Sequence, residues 1–150
     1  APTRRASITR LPVPLIVGFG KACELAEARM ADDSARIARL RNDLQSRLVS
    51  KIPGLKINGD VSKRLPGNLN VSVPGVDGEV LMNSLTKIAV SSGSACTSND
   101  PHPSHVLRAM GLGDDLVRAS LRFGIGRTTT AEDVQFAAEY VVEQIQRTSR

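Results

Sequence analysis

Within these 150 residues the side chains suited to covalent or recognition chemistry gather in two places. The first is Cys96, in the run SSGSACTSNDPHP from Ser91 to Pro103, among Gly93, Ser94, Ala95, Thr97 and Ser98. With no apolar neighbours to bury it, this thiol is expected to be exposed on a long loop of a length that usually carries function. A thiol so placed suits visiting one partner and then another, as a carrier or transferring nucleophile does, better than it suits a rigid metal cage. An incidental surface cysteine is the competing reading of the same residues. The second place is Arg122, in Leu121-Arg122-Phe123-Gly124-Ile125. Alternation puts Leu121, Phe123 and Ile125 on one face of a strand and Arg122 on the other, beside Gly124, whose missing side chain leaves room for a ligand. A guanidinium offers a forked pair of donors, so the position suits a small acid or amino acid; a solvated strand arginine fits the pattern as well.

Other polar residues carry less. Asn68 and Asn70 flank Leu69 in GNLNV, where structural hydrogen bonding is the simpler role. His105 follows Ser104 at an expected helix start, which suits capping or packing rather than catalysis. Cys23 shares a helical face with Phe19 and Ala26 and is expected to be core. His102 and His105 lie too close together to complete a distributed metal site with two cysteines, so no metal centre and no disulfide framework is expected.

The elements that must position Cys96 and Arg122 follow from periodicity. Leu15, Phe19, Ala22, Cys23 and Ala26, then Ile37, Leu40, Leu44 and Leu48, recur at helical spacing up to Pro53-Gly54, as one long helix or two in sequence. Strands are expected at Leu55–Ile57, Leu69–Val73, Ile88–Val90 and Leu121–Ile125. A short helix after Asp77 carries Val80, Leu81, Ser84 and Leu85 on one face, and another runs from Ser104 to Met110 with Gly111 as its stop. The last helix opens on the capping-box pair Thr130 and Asp133, and its stripe is Val134, Ala137, Ala138, Val141, Val142 and Ile145. The expected fold class is α/β, a small sandwich of about four strands with helices mainly on one face.

Composition narrows the function further. Twenty Lys+Arg against 15 Asp+Glu give a net charge of +5, which would raise affinity for any polyanion. The basic residues are scattered, however, and with no Trp, one Tyr and three Phe there is no stacking platform, so a nucleic-acid partner is not expected. The most apolar candidate for a membrane segment, Leu11 to Gly20, is too short and is broken by Pro12 and Pro14, so a membrane span is not expected either. The first ten residues carry no apolar pattern, and the chain reads as part of a longer fold. Its two cysteines fit a reducing compartment, the cytoplasm or alternatively the mitochondrial matrix.

SSGSACTS, followed by PSHVLRAMGL and SLRFGIGR, closely resembles the C-terminal part of NifS-like cysteine desulfurases of the long cysteine-loop type. LPVPLIVGFGKA and NGD…LPGNLNVSV extend the likeness from Leu11 to Arg147. The resemblance implies the small C-terminal domain of a fold-type I pyridoxal-phosphate enzyme, with residues 1–14 leading from a large cofactor domain and residues 15–150 carrying the cysteine loop 91–103. It implies a homodimer that converts L-cysteine to L-alanine and a protein-bound persulfide, delivered to an iron–sulfur scaffold or another sulfur acceptor. By position, Cys96 corresponds to the nucleophile that receives the sulfur, Arg122 to the arginine on the substrate carboxylate, and Asn70, before Asn68, to the asparagine near the substrate.

Two departures accompany the likeness. The family's cofactor lysine, with a histidine before it, belongs to the large domain, and Lys51, Lys56, Lys63 and Lys87 lack that context. Where the family has Arg-Ser-Gly-Thr before Leu-Pro, this chain has Ser7-Ile8-Thr9-Arg10, so the threonine contact to the cofactor phosphate across the dimer is not matched. No cofactor-binding residue is therefore assigned, and the chain alone is expected to be inactive. The rival readings are a non-enzymatic sulfur-relay or scaffold-binding module that keeps Cys96 as acceptor, and an enzyme of the same fold acting on selenocysteine or cysteine sulfinate.

Overall fold

The computed structural model describes residues 12–92 and 104–148; Cys96, His102 and the segment before Pro12 lie outside the described residues. The first element is a single helix, α1 (Val13–Lys51). It opens directly after Pro12, with Pro14 in its first turn, where the absent proline N–H leaves no helical bond unmade. The chain divides into two units, residues up to Asp33 and residues from Ser34.

In the first unit the described residues are helical and exposed, with Leu15, Val17 and Phe19 each more than 60% accessible. Cys23 is an exposed free thiol, which corrects its expected place in a core. Helical periodicity shows that a face suits burial; it does not show that the same stretch of chain supplies the cover. Lys21 pairs with Glu24 one turn on at 2.7 Å, a surface contact of small energetic weight.

The second unit is a four-stranded antiparallel sheet with helices. After α1 come β1 (Lys56–Ile57), β2 (Asn68–Ser72), α2 (Gly78–Ser84), β3 (Ser91–Ser92), α3 (His105–Ala109), α4 (Asp114–Arg118), β4 (Ser120–Gly124) and α5 (Ala131–Thr148). The strand order is β1-β2-β4-β3. Asn70 lies opposite Arg122 and Leu69 opposite Phe123, while Ser91 flanks Arg122 from the other side. One inner face, formed by Leu69, Val71, Val73, Leu121, Phe123 and Ile125, packs with Leu44 and Leu48 of α1, Leu81 of α2, and Val134, Ala138, Val141, Val142 and Ile145 of α5. Each buried aliphatic side chain of this kind contributes about 1.5–3 kcal/mol before its entropy cost.

Local signals read correctly explain most of these boundaries. Asp77 accepts from the backbone N–H groups of Glu79 and Val80 at 2.9 and 3.1 Å, and so caps α2. Thr130 and Asp133 exchange hydrogen bonds at 3.1 and 2.9 Å, completing the capping box of α5. Gly67 is needed where the chain enters β2: a Cβ there would sit 2.0 Å from the Ile125 carbonyl oxygen, and the Ile125 N–H donates to Gly67 at 2.8 Å.

The third strand differs from the expectation. Ile88-Ala89-Val90 makes no ladder; Thr86–Ile88 turn the chain, and pairing begins only at Ser91. Ile88 and Val90 do pack against the core. Their apolar character therefore records burial, whereas ladder formation depends on which backbone lies alongside β4. Val80, expected on the buried side of α2, is exposed while Leu81 and Leu85 are buried. The short helix α4 has no sequence counterpart in the apolar pattern, being Asp-Asp at its start with only Val117 buried.

Candidate functional site

The face of the sheet opposite the core carries Asn68, Asn70 and Ser72 from β2 and Ser120, Arg122 and Gly124 from β4, as the alternation of inward side chains requires. Arg122 is exposed there, between Asn70 and Ser91 on its two neighbouring strands, and nothing would lie within 4 Å of a Cβ at Gly124. The open-space reading of this strand is thus the geometry found. Both asparagines share the face of Arg122, Asn70 directly opposite it and Asn68 opposite Gly124.

A groove of about 410 Å³ runs over this face. Its walls include Asn58, Gly59, Asp60, Lys63, Arg64, Asn68, Asn70, Ser104, Leu107, Met110 and Arg122. α3 closes one side: Ser104 caps it by accepting from the Leu107 N–H at 3.4 Å, leaving His105 exposed on its first turn. Asn58, which the sequence reading passed over, fixes the floor. Its side-chain amide donates to Asn70 Oδ1 at 2.6 Å and to Ser72 Oγ at 2.8 Å, and its backbone N–H donates to the Asn70 carbonyl at 2.9 Å. Asn58 therefore holds both the side chain and the backbone of Asn70, which lies directly opposite Arg122.

The groove is cationic, with Lys63, Arg64 and Arg122 against one carboxylate, Asp60. Asp60 is already engaged: the Ser62 hydroxyl and backbone N–H donate to its Oδ1 at 2.6 and 2.7 Å. Those bonds, the hydroxyl first, hold its carboxyl below the usual carboxylate range, with a smaller contribution from the charge of Arg64. Arg41 is buried beside this wall, where desolvation and then the Arg64 charge lower its pKa. Arg64 too was missed from sequence, because a single arginine in the turn-rich segment SKRLP carries no periodic signal.

Cys96 lies outside the described residues; the run that contains it begins in β3, where Ser91 pairs with Arg122 and Ser92 with Leu121. Among the described residues, those expected to act together, Asn70 and Arg122, are brought together, and Cys23 takes no part in the groove.

An antiparallel sheet with helices over its inner face and a cationic groove on the other makes this an α/β domain whose groove has the charge to attract an anion. The sequence pattern of the Aminotransferase class-V family matches residues 7–136, and the chain belongs to that family. It is 50% identical over 137 residues to the cysteine desulfurase IscS of Anaeromyxobacter sp. (strain Fw109-5), covering 91% of this chain and 34% of that protein. It is 45% identical over 137 residues to the cysteine desulfurase of Mus musculus, covering 91% of this chain and 30% of that one. Among solved structures, a NifS-like protein superimposes with a TM-score of 0.79 at 29% identity, over 94% of this chain and 35% of that one. The NifS-like protein from Rickettsia africae ESF-5 gives 0.75 at 28% identity, over 87% and 34%. The chain thus spans about a third of the length of the relatives it matches. Among the described residues, no helix is long and apolar enough to cross a membrane.

Proposed function

We propose that this chain is the small domain of a cysteine desulfurase, in which Arg122 holds the carboxylate of L-cysteine, Asn70 lies beside the bound amino acid, and Cys96 accepts its sulfur as a persulfide. The observation that carries the reading is the position of Arg122, on the polar face of the sheet, flanked by Asn70 and Ser91 and opening on a cationic groove. The names of the relatives agree with it. A guanidinium in that setting binds a carboxylate through paired charge-assisted bonds and orients the amino acid. Cys96 follows β3 by four residues in the sequence, and in this reading its thiol meets the substrate sulfur and then an acceptor, an iron–sulfur scaffold or another sulfur carrier.

The reaction of this enzyme class depends on pyridoxal phosphate, and the groove residues do not by themselves make its pocket. Among the described residues no aromatic ring lines the groove, and its one lysine, Lys63, is exposed. In this reading the rest of a complete, homodimeric protein supplies the anchoring groups for the cofactor and covers the apolar side chains exposed on residues 13–30. Two cysteines, too few for a disulfide framework, suit a reducing setting, for which we favour the cytoplasm.

The test uses the complete protein loaded with pyridoxal phosphate and given L-cysteine. Alanine is expected to be released, and the peptide containing Cys96 is expected to gain one sulfur atom by mass spectrometry; Cys96→Ser should abolish both. Undiminished alanine turnover by Cys96→Ser would remove the nucleophile assignment. The 150 residues alone, given pyridoxal phosphate, should show no borohydride-sensitive visible band; such a band would mean that a lysine in this chain holds the cofactor.

A further inference from the structure

Arg64 stands apart from the other partly buried arginines of the described residues. Arg36 donates to the carbonyls of Thr129 and Arg127, Arg41 to the Leu65 carbonyl and to Asn42, and Arg47 to Asp43. Even Arg108, on the surface, has both arms on Asp114 at 2.7 Å. Arg64 is anchored only through Nε, which donates to the Asp60 carbonyl at 3.3 Å. Its two terminal nitrogens, Nη1 and Nη2, are buried and have no hydrogen-bond partner among the described residues.

A buried guanidinium fork without an acceptor is costly, and native structures seldom keep one unless something else satisfies it. No internal group among the described residues satisfies it: Asp60, the carboxylate of the same wall, feels the charge of Arg64 but accepts from neither terminal nitrogen, and Arg41 beside it is a like charge. With Nε tied back to the main chain, the end of the fork is what remains for a ligand, and Arg64 lines the same groove as Arg122. Two guanidinium groups in one groove call for two anionic groups on its occupant.

We propose that Arg64 is a second anion-binding residue of this groove, and that the groove accepts small ligands bearing two anionic groups, dicarboxylates or amino acids with an anionic side chain, in preference to monoanions of the same size. The inference rests on the reading of Arg122 as the carboxylate-holding residue. Arg64 would engage the second anionic group, so it sets which acids compete with or replace the substrate, and it is separable from the grip on the first carboxylate.

Succinate and butyrate, which share a four-carbon chain and differ by one carboxylate, separate the two roles. Their binding to the complete protein is measured by calorimetry, in the wild type and in Arg64→Gln, Arg64→Lys and Arg122→Gln. Succinate is expected to bind the wild type about tenfold more tightly than butyrate, the size of one added charge-assisted interaction. Arg64→Gln should bring succinate down to the butyrate level without moving butyrate, and Arg64→Lys should keep part of the preference. Equal affinities in the wild type, a preference that survives Arg64→Gln, or a loss of both ligands alike in that variant would overturn the inference. Butyrate binding unchanged by Arg122→Gln would instead contradict the proposed function, a result distinguishable from any of these.

Discussion

On the core side of β2 and β4, Leu69, Val71, Leu121 and Phe123 are at most 5% exposed, while one residue along each strand Asn70 and Arg122 face a groove and Arg122 is open to solvent. The two faces share every backbone hydrogen bond of the sheet, and differ only in which alternate residue points which way. Stability is concentrated on the first, and on the reading proposed here recognition belongs to the second. Because side chains alternate with a period of two, the burial of Leu121 and Phe123 is also what aims Arg122: a slip of one residue would put the guanidinium into the core and the phenyl ring into water. The site is positioned by residues that never touch its ligand.

The division can be tested from the core outward. The largest expected effect is Phe123→Ala, which should cost about 3–5 kcal/mol of stability in chemical denaturation and lower activity only through loss of folded protein. A loss of less than about 1 kcal/mol would show that the core face is not the stabilising one. Asn58→Ala sharpens the boundary, because Asn58 is buried on the polar side and ties Asn70 to Ser72. Removing it should cost about 1–3 kcal/mol and raise KM for the substrate, since both partners lose a donor. A variant with unchanged stability and KM would show that the polar face needs no internal support.

The smallest effect concerns pH. Asp60 has a folded pKa lowered by its bonds from Ser62, so its contribution to the turn from Asp60 to Lys63 is complete above the ordinary carboxylate pKa and is lost as pH falls through the lower folded value. Amide exchange in that turn should accelerate on acidification before the sheet opens, and Asp60→Asn should abolish the acceleration. Exchange that stays flat into the acid range would remove the link between Asp60 and this wall.

The sequence was most legible where a local rule and the global fold agree. The Asp77 cap, the Thr130–Asp133 box, the α5 stripe and the alternation around Arg122 all follow from side-chain chemistry within a few residues, and each is found. The misreadings have a common cause in contacts between distant segments. Whether Ile88–Val90 forms a ladder depends on β4 more than thirty residues later, and whether the stripe around Cys23 is buried depends on what covers it. Asn58 and Arg64 escaped notice for the same reason: one becomes important by meeting Asn70 and Ser72, the other because the end of its fork is buried with no hydrogen-bond partner among the described residues. The roles proposed for Cys96, Arg122 and Asn70 come from the family likeness, which adds to what spacing alone left open.

The most direct test of the account is to compare kcat/KM for L-cysteine with the unfolding midpoint for wild-type and Arg122→Gln complete protein. Loss of a paired guanidinium–carboxylate contact should lower kcat/KM about a hundredfold, mostly through KM, and leave the midpoint within about a degree, because Arg122 is exposed and buries no core surface. A variant that keeps its kcat/KM, or one that loses activity only in step with its stability, would contradict the claim that the polar face of this sheet recognises the substrate carboxylate.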